Sequence, residues 1–63
     1  MKQYIISIHY NTWNVDLTEN DEVVDYMVLG TSIANAKGKA LKVFQKEINE
    51  KYHIIKTTFV KIF

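Results

Sequence analysis

The stretch Tyr4-Ile5-Ile6-Ser7-Ile8-His9-Tyr10 constrains the chain most. Its even positions, Tyr4, Ile6, Ile8 and Tyr10, are large and apolar, and its odd positions are polar apart from Ile5. Successive strand side chains point to opposite sides, so this alternation predicts a β-strand with one face buried. The strand is expected from Gln3 to Asn11, in the middle of the sheet. The residues from Thr12 to Asp21 read as a long connection rich in turn formers, with Val15 and Leu17 able to extend the strands into it. A second strand is expected from Glu22 to Leu29, with Val24, Tyr26 and Val28 on one face and Val23, Asp25, Met27 and Leu29 on the other.

Ser32 follows Gly30 and Thr31 as a helix N-cap, its hydroxyl suited to accept from an orphan amide of the first turn. Apolar residues then recur at spacings of three and four, through Ile33, Ala36, Ala40, Leu41, Phe44, Ile48 and Tyr52. This predicts an amphipathic helix from Ile33 to Lys51. Gly38, with Ala34, Ala36 and Ala40, is expected to let that helix sit close to the sheet. A third strand, rich in β-branched and aromatic residues, is expected from Ile54 to Ile62. Its alternation is ambiguous: Ile55, Thr57, Phe59 and Phe63 share one phase, and Ile54, Thr58, Val60 and Ile62 the other.

A helical crossover returns the chain, so the third strand runs parallel to the second and pairs with the first. The expected fold is α+β, a single ββαβ domain over residues 1–63. Its three-stranded antiparallel sheet has order 2-1-3, with the helix on one face after a right-handed crossover. One helix shields one face of three strands. The other face is expected to stay open and to carry apolar side chains.

Composition bounds the rest. A chain of 63 residues buries only ~60% of the surface its unfolded form exposes, so its stability is marginal. It has no cysteine, which removes disulfides and thiolate metal sites as sources of stability. No apolar run reaches the length of a membrane span, and the start carries no secretory pattern, so a soluble cytoplasmic protein is expected. The net charge is only +1, but it is sorted along the chain. Asp16, Glu19, Asp21, Glu22 and Asp25 fall in residues 16–25, and Lys37, Lys39, Lys42 and Lys46 in residues 37–46. Opposite local potentials follow.

The order of elements resembles the small RNA polymerase inhibitors of lytic phages and the epsilon subunit of Firmicute RNA polymerase. The resemblance rests on Tyr4–Tyr10, Tyr26–Leu29, the helix start Thr31-Ser32-Ile33-Ala34-Asn35-Ala36, and Thr58–Ile62. It implies a ββαβ fold and a bacterial protein as target. The inhibitors carry two basic residues on the last strand, where this chain has Phe59 and Lys61, one charge of the two.

Three surfaces are candidates for function. Trp13 beside Asp16, Glu19, Asp21 and Glu22 combines an aromatic anchor with carboxylates that can imitate phosphates. Met27, Leu29 and Lys61 belong to the open sheet face and its edge, where a partner, a second copy or an added strand finds a surface. Lys39, Lys42 and Lys46 share one helix face and can track nucleic-acid phosphates. No catalytic, cofactor or metal site is expected. The acidic residues lack the glycine turn and alternate spacing of a calcium loop, His9 and His53 have no third ligand, and no Asp orients a Ser7–His9 pair. The leading expectation is a non-enzymatic protein-binding module, a phage or mobile-element inhibitor of a host protein such as RNA polymerase or a defence nuclease. The alternatives are a nucleic-acid binder using the helix lysines and a structural homodimer.

Overall fold

The computed structural model describes residues 1–13 and 19–63, with the side chains of Trp13 and Glu19 outside the description. Four elements follow one another: β1 (Lys2–Trp13), β2 (Glu19–Gly30), α1 (Ile33–Glu47) and β3 (Tyr52–Ile62). The sheet has the order β2-β1-β3, and both pairings are antiparallel. This is the expected ββαβ architecture with the alternating strand at its centre.

The first hairpin is longer than its sequence signals. β1 and β2 pair without a shift from Lys2↔Gly30 to Trp13↔Glu19, leaving only residues 14–18 between them. The turn formers Asn11, Asn20 and Asp21 are therefore strand residues. Continuous ladder pairing of the two strands outweighs a weak local preference for turns.

The helix is shorter than its periodicity. It ends at Glu47, and Ile48 is already extended, at φ −80° and ψ 131°, while its N–H still donates to the Phe44 carbonyl. Tyr52 continues the apolar stripe in sequence but pairs with Thr12 as the first residue of β3. At the other end the cap is reciprocal. Ser32 Oγ accepts from the Asn35 N–H at 3.1 Å, and Asn35 Oδ1 accepts from the Thr31 N–H at 3.1 Å. One orphan donor of the first turn is thereby satisfied, and the residue before the cap is tied to the helix start.

The core lies between α1 and the even face of β1. Tyr4, Ile6 and Ile8 are buried against Ala36, Ala40 and Phe44. Phe44 packs edge-on to Tyr10 and Tyr52, with ring centroids 4.7 and 5.0 Å apart. Only Ala36 and Ala40 of the expected small-residue set meet the sheet, since Ala34 and Gly38 face outward. A Cβ built on Gly38 meets nothing within 4 Å. The close approach is at Gly30, where a Cβ would stand 3.2 Å from both Ala36 Cβ and Asn35 Oδ1. Fifteen helical residues span ~22 Å, about half of the molecule's 43 Å long axis.

The ambiguous phase of the third strand has a structural cause. The β1–β3 register shifts between Ile5 and Ile6 and again between His9 and Tyr10, which leaves Val60 and Ile55 as extra residues on β3. Each bulge resets the alternation. Tyr52, Ile54, Thr57, Phe59 and Ile62 thus pair with the helix-facing residues of β1, although they belong to two parities.

Candidate interaction surface

The odd positions of β1 look away from the helix: Gln3, Ile5, Ser7, His9 and Asn11. Their partners in β2 are Leu29, Met27, Asp25, Val23 and Asp21. Those in β3 are Lys61 beside Ile5, Thr58 beside Ser7, Lys56 beside His9 and His53 beside Asn11. No described element covers this face. Val23, Met27 and Leu29 keep 58%, 59% and 51% of their surface exposed, and Phe63 keeps 58%. Lys61 Nζ lies 4.8 Å from the centre of the Phe63 ring, a cation–π contact at the end of the strand.

The face is mixed: Ile5 and Met27 lie side by side, the Ser7 and Asn11 rows are polar on all three strands, and the Gln3 and His9 rows combine both kinds. Asp25 accepts a hydrogen bond from Ser7 Oγ, and that contact keeps Ser7 buried at the centre of an otherwise open surface. Asn11 Oδ1 is buried with no partner among the described residues. The flanks differ in sign. β2 contributes Asp21 and Asp25 and no lysine; β3 contributes Lys56 and Lys61 and no carboxylate.

The expected site residues are distributed as follows. Met27, Leu29 and Lys61 lie on this face, and Asp21 joins them at its far end. Glu22 pairs with Tyr10 and therefore belongs to the helix face, because consecutive strand residues point opposite ways. Trp13 and Glu19 pair with each other at the ends of β1 and β2, and Asp16 lies outside the described residues. The acidic segment is thus not one surface. Val23, Asp25, Lys56 and Phe63 are additional members of the face. Val23 and Asp25 could be read from the phase of β2, whereas Lys56 could be placed only once the bulges were known.

The helix lysines are not equivalent either. Lys39 is half-buried, and its Nζ donates to the Leu29 carbonyl at 2.8 Å, tying the helix to the end of β2. Lys42 and Lys46 are exposed. Tyr4, Tyr10 and Tyr26 pack toward the helix, so their rings do not form a stacking platform beside the lysines.

On the helix side, a groove of about 320 Å³ opens between the helix C-terminus and β2, lined by Tyr10, Val24, Tyr26, Phe44 and Glu47 among others. Tyr26 donates its hydroxyl to Glu47 Oε2 at 2.8 Å. Burial, that hydrogen bond and the Glu47 charge push the Tyr26 phenol up to about 12. Burial and the charges of Glu22 and Glu50 raise Tyr10 as well. Among the described residues no group of three or more His, Cys, Asp or Glu side chains is placed to hold a metal ion, and no helix is long and apolar enough to cross a membrane. No family model, curated protein or solved structure matches this chain.

Proposed function

We propose that this chain is a protein-binding module that acts by surface contact, with the uncovered sheet face as its docking surface. One observation carries the reading: Val23, Met27 and Leu29 are each more than half exposed on the same face of one strand, with Ile5 beside Met27. Grouped apolar side chains on a small folded domain mark sites of interaction. The polar rows between them supply orientation, as the rim of a protein interface does. The helix lysines favour a nucleic-acid reading less, because Lys39 is already bonded to the sheet.

The test is capture of partners by immobilised chain, with purified bacterial RNA polymerase and a defence nuclease among the candidates. A Met27→Lys, Leu29→Lys chain should lose the partner that the native chain retains, while a Lys42→Glu, Lys46→Glu chain should keep it. The reading fails if the sheet substitutions leave capture unchanged.

A further inference from the structure

We infer that the occupant of the uncovered face is a second copy of this chain, packed sheet on sheet about a two-fold axis that runs along β1. The inference rests on the docking reading above and names the partner.

In a two-fold interface the same patch serves both copies. Two such sheets can face each other with the axis either along the strands or across them. These choices differ in what lies over what. With the axis along β1, the β2 of each copy lies over the β3 of the other. With the axis across the strands, β2 lies over β2 and β3 over β3.

Charge separates the two. β2 presents Asp21 and Asp25 on this face, and β3 presents His53, Lys56 and Lys61. Asp25 shares its row with Ser7 and Thr58, between the rows of Lys56 and Lys61. Along the strand axis, Asp25 therefore faces the gap between Lys56 and Lys61 of the second copy, and Asp21 faces its His53. Facing sheets stand ~10 Å apart and adjacent rows are ~7 Å apart, within reach of a lysine leaning toward a carboxylate. A crosswise axis through the Ser7 row, at the centre of the face, would instead set Asp25 against Asp25 and Lys56 against Lys61, which is repulsive.

Apolar groups match under the same axis. Ile5 meets Ile5, and Leu29 lies over Phe63, which is tied to the Gln3 row by its N–H bond to the Gln3 carbonyl. Met27 lies over the aliphatic stem of Lys61, and Val23 over that of Lys56. The twist of each sheet rotates the pair by about 30°, as in aligned sandwiches. Pairing through the sheet edges is the poorer route, since β2 is acidic along its edge and β3 is interrupted by two bulges.

Sedimentation at about 10 µM and about 1 mM chain, concentrations that bracket a moderate affinity, tests the inference. The native chain should be dimeric at the upper concentration and dissociate as salt rises from about 50 to about 500 mM. Asp25→Lys alone, and Lys56→Glu with Lys61→Glu, should each weaken the dimer about tenfold, as loss and reversal of interfacial charge pairs does. All three substitutions in one chain should restore it to within about threefold, because the facing signs are again opposite. Under the crosswise axis that chain gains nothing. A native chain monomeric at the upper concentration, a triply substituted chain no tighter than its parents, or association that strengthens with salt would each overturn the inference. If the chain is monomeric but the Met27→Lys, Leu29→Lys substitutions still abolish capture of another protein, the second copy is refuted and the docking face stands. If they alter neither, both readings fall.

Discussion

The two faces of the sheet differ in make-up and in fate: the helix side is lined mostly by large apolar residues, and the outer side carries Ile5, Val23, Met27 and Leu29 among charged and polar ones. On one, Tyr4, Ile6 and Ile8 meet Ala36, Ala40 and Phe44 and are buried. On the other, Val23, Met27 and Leu29 stay exposed. What separates them is both hydrophobicity and the supply of cover: the described residues give one helix, and it packs on the more apolar side. Apolar character therefore stabilises the monomer on one face and stays exposed to solvent on the other.

Truncation should show this contrast most sharply. Phe44→Ala removes a ring that packs on Tyr10 and Tyr52, and should cost about 3–5 kcal/mol, most of a small domain's stability. Met27→Ala on the open face should change monomer stability by no more than about 0.5 kcal/mol. Urea unfolding at concentrations low enough to keep the chain monomeric measures both; equal losses would mean that the open face is covered within the monomer.

The two glycines give a smaller contrast. Gly30→Ala sets a methyl group 3.2 Å from Ala36 and Asn35, and should destabilise by about 1–3 kcal/mol, the range of an overpacked site. Gly38→Ala enters open space on the outer helix face and should stabilise by about 0.5–1 kcal/mol through helix propensity and reduced freedom of the unfolded chain. Thermal unfolding should show midpoints moving in opposite directions.

The smallest effect lies in pH. The folded phenol of Tyr26 titrates at about 12, above its ordinary value of 10.0. A raised folded pKa means that the folded state holds its proton more tightly, so this contribution is complete below pH 10 and is lost as pH rises toward 12. Stability of the native chain should fall more steeply across that window than stability of Tyr26→Phe. Identical slopes would show that the Glu47 contact does not hold the phenol neutral.

β1 and β2 were legible because each keeps one phase from end to end, so that Val23, Met27 and Leu29 could be assigned to the open face from alternation alone. β3 was not, because Ile55 and Val60 are extra residues whose presence is visible only against the partner strand. For the same reason Lys61 could be placed near an edge, but Lys56 could not be matched to His9. The helix start was readable from Ser32, a local signal. Its end was not, because Tyr52 fits the helical spacing as well as it fits a strand, and pairing with Thr12 decides between them. The carboxylates were read as one group because they are neighbours in sequence; extended backbone sends Asp21 and Glu22 to opposite faces.

Short-range periodicity and capping chemistry are enough for the order of elements, the central strand, the capped helix and the existence of an uncovered side. Long-range packing set which residues of β3 face outward, that Lys39 is bonded to the sheet, and that acidic and basic flanks border the same open face. Those facts depend on register between strands far apart in the chain, and register is fixed by which pairing buries and hydrogen-bonds the most, a quantity no local stretch contains.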